Sequence, residues 1–239
     1  MSKEKNMNKY EVRKLVLDYD VNNIRKRYLK LSAALVFDAM ERIGILNSAM
    51  DSGIYPIDKD MKVAGPAFTA TRYQGPEATD FQNDTHIGLI NSLTEGCVFI
   101  SDSGGNKNSA HFGDITATCY RAAGCAGAVM DGSTRDTNYL IKMGFPMFCR
   151  FRNPVEGCGR STLINYMVPI FVKGVDGSLR VDPGDFVFGD NDGVVIVPKD
   201  QTLKVLEFAE KLFEDEEKSR QALANGMHPF EVYNLYERF

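Results

Sequence analysis

The sequence predicts one α/β domain with helical flanks at both ends, and three observations predict it. Between residues 96 and 150, apolar strand-like runs alternate with helix-like stretches in the order β-α-β-α-β. After Gly157 the character changes to short apolar strands separated by turn sequences such as Asp182-Pro-Gly-Asp185 and Asn191-Asp-Gly193. From Gln201 onward the chain is Glu- and Lys-rich with a helical period. No linker, internal repeat or low-complexity segment divides the 239 residues.

Taken in order, residues up to about Tyr19 read as a polar lead-in, with a modest pattern of Tyr10, Val12, Leu15 and Leu17 and balanced charges, hence a solvated arm. A helix is expected over Val21 to Leu29. Ser32 then serves as N-cap for a helix from Ala33 to Ile43, where Leu35, Val36, Ala39, Met40 and Ile43 keep helical spacing and Gly44 supplies the stop. Val63 to Thr71 is strand-like, and Pro66 places it at an edge, a bulge or a strand start. Asn83 to Leu93 reads as a short helix carrying His86. Gly96 to Asp102 reads as a buried strand that runs into a Ser103-Gly104-Gly105 loop.

Phe112-Gly113-Asp114 opens a helix through Ala123, closed by Gly124, and the strand Gly127 to Met130 comes next. Asp131-Gly132 is a turn signal. Asp136 to Met143 is the next helix, Gly144 its cap, and Pro146 to Arg150 the next strand; parallel pairing of buried strands is the expectation. The last long helix, Gln201 to about Ala224, carries Leu203, Leu206, Phe208, Ala209 and Leu212 on its apolar stripe, and Gly226-Met-His228-Pro229 breaks it before a short terminal helix.

Composition bounds the function. With 44% apolar and 25% charged residues the chain can bury a sizeable core, and a formal charge of -4 argues against a general nucleic-acid binder. An anionic substrate therefore needs a local positive site. The five cysteines, at 97, 119, 125, 149 and 158, form no C-x-x-C pair, and three lie in apolar runs. They read as reduced core residues of a cytoplasmic protein. The amino terminus has no apolar signal region and the chain has no run of about eighteen apolar residues, so secretion and membrane spanning are not expected.

In a parallel sheet, ligands collect at the carboxyl ends of strands beside helix N-termini, which present N–H groups and a positive dipole end. Two such openings occur here: Gly113-Asp114-Ile115-Thr116, whose amides suit a substrate carboxylate, and Arg135-Asp136. An Arg-Asp dipeptide alone is ordinarily a surface ion pair. Twenty residues separate Asp114 from Arg135, however, which is the length of one helix, turn, strand and turn. The two helix openings then face one another, and Asp114, Arg135 and Asp136 converge. Such a trio suits a metal-assisted reaction on a 2-oxo acid. Asp136 is the expected metal ligand, Arg135 a fixed positive charge on the substrate, and Asp114 a holder of metal-bound waters or a proton relay. One carboxylate plus waters and a chelating substrate is typical of magnesium, although manganese or another divalent ion would serve.

The spacing Asp-x20-Arg-Asp, the Asp102-Ser-Gly-Gly segment before it and Gly-x-x-x-Asp-Gly-x-x-Arg-Asp at residues 127–136 resemble the RraA-like family. That family includes class II 4-hydroxy-4-methyl-2-oxoglutarate/4-carboxy-4-hydroxy-2-oxoadipate aldolases and the regulator of ribonuclease E activity. The resemblance runs from about Leu31 to Pro198, through Phe37-Asp38-Ala39-Met40, Val63-Ala64-Gly65-Pro66-Ala67, Gly144-Phe145-Pro146-Met147-Phe148, Pro183-Gly184-Asp185 and Asp192-Gly193-Val194. It implies a swivelling β/β/α domain over residues 31–198, preceded by an arm and helix over 1–30 and followed by a helical extension over 199–239. A homotrimer or homohexamer is implied as well. By the motif match, Arg135 takes the substrate-binding role, Asp136 the metal ligand's, Gly113 to Thr116 the backbone cradle of the pyruvyl carboxylate, and Asp114 the acid near the metal waters. Family aldolases resemble one another in a further acid from a neighbouring subunit's C-terminal helix, for which Glu210, Glu214, Asp215, Glu216 and Glu217 are the candidates.

The expected function is a divalent-metal pyruvate aldolase acting on a small 4-hydroxy-2-oxo acid, with oxaloacetate decarboxylation as a side reaction. The alternative is a non-catalytic regulator that binds a ribonuclease or other protein. A methyltransferase finds no support, because no G-x-G-x-G loop comes after an early strand. His111 stands just before the cradle, as a substrate contact or a structural residue, and His86 and His228 lack zinc-site spacing. Loop side chains around Arg72-Tyr73, Asn106 to His111 and Arg150 to Arg160 are expected to sort the substrate's leaving group, and Arg150, Arg152 and Arg160 point either to a further anionic group or to surface ion pairs.

Overall fold

The computed structural model describes residues 11–75 and 79–236. Residues 1–10, which include the Tyr10 of the predicted lead-in, lie outside the described residues. Two helices come first: α1 (Val21–Tyr28), capped by the Asp20 carboxylate accepting from the Asn23 amide at 3.1 Å, and α2 (Ala33–Arg42), capped by Ser32 as its sequence predicts. A two-residue strand not foreseen in the sequence, β1 (Tyr55–Pro56), precedes β2 (Val63–Gln74) and α3 (Thr79–Ser92). The alternating unit is β3 (Val98–Phe112), α4 (Asp114–Ala122), β4 (Gly127–Thr134), α5 (Thr137–Met143) and β5 (Met147–Arg152). Five short strands come after it: β6 (Ser161–Tyr166), β7 (Ile170–Gly174), β8 (Gly177–Val181), β9 (Phe186–Asp190) and β10 (Gly193–Val197). The long α6 (Thr202–Ala224) and the short α7 (Pro229–Tyr236) close the chain.

The main sheet is mixed, in the order β1-β5-β4-β3-β2-β9-β10, with β6 also pairing β2 and with β7–β8 forming a separate hairpin. Its centre is parallel, β2 to β3 to β4 to β5, as the alternating pattern predicts, and the other pairings are antiparallel. Pro66 sits on a central strand rather than at an edge. It falls where pairing with β9 ends (Pro66 with Phe186) and pairing with β3 begins (Ala67 with Val98), so its missing N–H lies at a changeover between ladders.

Two predicted turns lie inside strands. Ser103-Gly104-Gly105 belongs to β3, and Asp131-Gly132 to β4, where both residues are buried. In β3 the register slips between Asp102 and Asn106, and Gly104 and Gly105 take φ of +60° and +66°, so the extra residues are absorbed as bulges. In β4 the charge of Asp131 is met by Arg150 on the neighbouring strand, at 2.8 Å from Nε. A turn signal describes local preference, and a partner across the sheet overrides it.

The lead-in is also no solvated arm over residues 11–17. Arg13 donates to Asn165 Oδ1 and to the Tyr166 carbonyl, both at 2.7 Å, and Lys14 to the Leu93 carbonyl at 2.7 Å, which fastens the segment along α3 and β6. One apolar core lies between the parallel strands and α3, α4 and α5, built on Phe68, Phe99, Phe112, Tyr120 and Phe145. A second packs α1, α2 and α6 on β9 and β10, and a third fills the space under the β7–β8 hairpin. The buried stripe of α6 is Val205, Leu206, Ala209 and Leu212, while Leu203 is exposed.

Candidate functional site

Strands β3 and β4 end side by side, with Phe112 opposite Thr134, and the Arg135 amide donates to the Phe112 carbonyl at 2.9 Å. The residues just past each strand are thereby brought to one place: Gly113-Asp114 at the start of α4 and Arg135-Asp136 at the start of α5. The twenty intervening residues are one helix and one strand, so the chain returns one strand over at the same height. These residues line a cleft of about 240 Å³ that Gly113, Asp114, Ile115, Thr116, Arg135 and Asp136 share with Arg72, His86, His111, Glu156 and Ser161.

Asp136 takes the N-cap position of α5 in a left-handed backbone conformation (φ 57°, ψ 32°) and makes no side-chain bond to its own helix. Its carboxylate turns across instead, where Oδ2 accepts from the Asp114 amide at 3.4 Å and lies 3.3 Å from Arg135 Nε. A non-glycine residue in this region is uncommon and costs on the order of 1 kcal/mol, which the aspartate tolerates better than most. Gly113 makes the close approach possible, since a Cβ there would meet Asp136 Oδ2 at 2.5 Å and Arg135 Cγ at 3.2 Å. The Asp114 carboxylate accepts from the Ile115 amide at 2.7 Å. Two of the four cradle amides thus already face carboxylates of the chain itself.

Glu156, which the sequence did not single out, stands at the mouth with Oε1 at 3.6 Å from Arg135 NH2. Its only local signal is its place in a loop rich in arginine. Across the cleft, Arg72 of β2 donates from NH1 to Ser161 Oγ at 3.4 Å and from NH2 to His86 Nε2 at 3.3 Å. His111 is buried. Its Nε2 faces Asn106 Nδ2 at 2.8 Å, and its Nδ1 faces Ser161 Oγ at 2.7 Å. The Asn108 amide donates to Asn106 Oδ1, which leaves the Asn106 NH2 group for the imidazole. His111 Nε2 is then an acceptor and Nδ1–H the donor. Burial, with Arg72 adding to it, pushes the imidazole down to about 4, so the ring is neutral.

None of Arg150, Arg152 and Arg160 lines this cleft. Arg150 is held by Asp51 and Asp131, Arg152 donates to the Ile57 carbonyl at 2.9 Å, and Arg160 to the Glu156 carbonyl at 3.1 Å. On α6, Glu210 is forked onto Arg27 at 2.8 and 2.5 Å, Asp215 pairs with Lys218, and Glu216 and Glu217 with Arg220.

The donors offered to a metal in this cleft are the carboxylate oxygens of Asp136, Asp114 and Glu156. Hard oxygen ligands of this kind suit a cation that keeps several waters. The nearby imidazoles are engaged, His111 through both nitrogens and His86 through Nε2. Among the described residues, no preformed group of three His, Cys, Asp or Glu is poised on a metal.

The model of the RraA-like family, described as Aldolase/RraA, matches residues 33–196. A Halalkalibacterium halodurans protein bearing the provisional name 4-hydroxy-4-methyl-2-oxoglutarate aldolase is 28% identical over 207 residues, 87% of this chain and 91% of that one. A crystal structure of a Pseudomonas syringae pv. tomato protein shares the fold with a TM-score of 0.79 at 24% identity, over 95% of this chain and 98% of that chain. Streptomyces coelicolor RraAS2, described as an unusual member of the RNase ES inhibitor RraA protein family, superposes with a TM-score of 0.72 at 26% identity, over 83% and 97%.

Proposed function

The chain belongs to the RraA-like family, and from that premise we propose that it is a divalent-metal-dependent carbon–carbon lyase that releases pyruvate from a 4-hydroxy-2-oxo acid. One observation carries the reading. The Asp136 carboxylate, the Arg135 guanidinium and the first amide of α4 meet within 3.3 to 3.4 Å at paired strand ends. An anionic ligand, a cation and a fixed positive charge can therefore share one point. The aldolase name of the Halalkalibacterium relative supports the same chemistry.

In this reading Asp136 holds the cation, most suitably magnesium, with Asp114 beside it. When bound, the ion supplies the Lewis acidity that polarises a 2-oxo group and takes up charge as the neighbouring carbon–carbon bond breaks. Arg135 supplies forked N–H donors to the substrate's carboxylate or keto oxygen, preorganised by its contacts to Asp136 and Glu156. The cradle of Gly113 to Thr116 receives the pyruvyl carboxylate, aided by the helix dipole, through the Gly113 and Thr116 amides, since those of Asp114 and Ile115 already face Asp136 and Asp114. Asp114 exchanges the proton that retro-aldol cleavage moves from the 4-hydroxyl to the pyruvyl methyl. Oxaloacetate would lose carbon dioxide at the same centre.

Pyruvate release from a panel of 4-hydroxy-2-oxo acids, with and without EDTA, tests the proposal. Chelation should abolish turnover and magnesium restore it, while Asp136→Ala should lower kcat/KM by about 10²-fold or more. Turnover indifferent to both, in a folded variant, would remove the metal from the mechanism. Tight ribonuclease binding without turnover of any 2-oxo acid would instead favour the inhibitor's role that the Streptomyces relative's name carries.

A further inference from the structure

We propose that Glu156 is the gate of this cleft: with no ligand bound its carboxylate occupies the Arg135 guanidinium, and it swings away when a pair of substrate oxygens arrives. The inference rests on the lyase reading for Arg135 as the arginine that binds the substrate. A guanidinium offers two forks to an anion, Nε with Nη2 and Nη1 with Nη2, so Nη2 takes part in both. Glu156 Oε1 stands 3.6 Å from that shared nitrogen, while Asp136 Oδ2 lies 3.3 Å from Nε. Whichever fork the substrate takes, one of its oxygens comes to the nitrogen that Glu156 faces. Two like charges at one donor repel, and one of them withdraws.

Of the two carboxylates on Arg135, Glu156 is the one able to leave. Asp136 is fixed at the N-cap of α5, and its Oδ2 also accepts from the Asp114 amide at 3.4 Å. The Glu156 side chain is 61% exposed, and Arg135 is its only ion-pair partner among the described residues. At 3.6 Å the contact is beyond hydrogen-bonding reach, so charge alone holds it. The backbone beneath is fastened, by contrast. Glu156 bridges to Ala110, the Ala110 amide donates to the Val155 carbonyl at 2.8 Å, and Arg160 donates to the Glu156 carbonyl at 3.1 Å. The next residue, Gly157, lies so close that a Cβ there would meet the Ala110 carbonyl oxygen at 2.6 Å. The loop therefore stays in place, and the gate opens by rotation of one side chain. The exchange also loosens the hold on pyruvate, the product that has to leave.

Titration calorimetry of pyruvate into the full chain with magnesium tests it. Glu156→Gln should tighten the pyruvate Kd about two- to fivefold, the worth of one exposed ion pair, and the gain should shrink as salt rises from about 0.05 M to about 0.5 M. Glu156→Asp draws the carboxylate back by one methylene and should show part of the gain although its charge remains. An Asp variant identical to the wild type would mean a field at the mouth and no occupied nitrogen, which overturns the gate. The Kd for magnesium alone should move by less than about threefold in either variant, where loss of a residue that serves the metal costs about tenfold or more. Weaker pyruvate binding in Glu156→Gln would make Glu156 a support for Arg135, a tenfold loss of magnesium affinity would make it a metal ligand, and an unchanged pyruvate Kd would leave it without a part. Each of these overturns the proposal, as does a wild type that binds no pyruvate. Turnover is not read, so this outcome and that of the lyase assay are separate.

Discussion

His111 lies in the wall of the cleft, one residue before the end of β3. Beside a helix start it is as plausible a substrate contact as a structural group, yet both of its nitrogens are taken by Asn106 and Ser161 inside the wall of the cleft. Burial lowers it from 6.5 to about 4. Between those values the unfolded chain binds a proton that the folded chain refuses, so this contribution is complete above pH 6.5 and is lost as the pH falls towards 4. Urea unfolding at about pH 7.5 and about pH 5 should show a loss of stability on acidification that is smaller in His111→Gln. An unchanged pH difference in that variant would mean that the imidazole is not the group responsible. At the same scale, Asp114, Arg135 and Asp136 were legible because their spacing is one βα repeat. Arg72 and the loop that holds Glu156 fall in stretches expected to sort the substrate, but no local pattern places the end of β2 and a loop after β5 in one cleft with Arg135.

Among elements, the least legible were the strands that swallow their turn signals. β4 continues through Asp131-Gly132 because Asp131 forms a buried pair with Arg150 of β5, and Arg150 also holds Asp51. Lys173 of β7 joins at 2.9 Å from Asp51, which ties the hairpin to the sheet. The Lys173 and Arg150 hydrogen bonds hold the Asp51 carboxyl well below the usual carboxylate range. Breaking such a network from one side leaves a buried charge uncompensated. Arg150→Met should therefore cost about 3–5 kcal/mol, and the double variant Asp131→Leu/Arg150→Met less than Arg150→Met alone. Urea denaturation of both checks the order. If the double variant is the less stable, the network contributes net stability and not only mutual compensation.

Across the whole molecule, the flanking helices and the strands share a core. Tyr28 of α1 is fully buried, stacks on Phe186 of β9 at 4.3 Å, and donates its hydroxyl to the Thr202 carbonyl at the start of α6 at 2.8 Å. Tyr28→Phe should cost about 1 kcal/mol for the lost hydrogen bond, and Tyr28→Ala about 3–5 kcal/mol for the emptied space. Thermal unfolding should remain one transition in both; separate melting of the terminal helices would show that they are not part of this core. The described helices include none long and apolar enough to cross a membrane.

By itself the sequence determined the β-α-β-α-β order, the capped α2, the parallel centre of the sheet and the Asp114/Arg135/Asp136 convergence. Each of these is set by local period, caps and the fixed length of a repeat. The tertiary structure alone decided that Ser103-Gly-Gly and Asp131-Gly132 extend, that the segment after Glu11 docks on α3 and β6, and that Arg72 stands across from Arg135. Those outcomes depend on partners distant in sequence, whose charge and hydrogen bonds outweigh the preference of a two- or three-residue stretch.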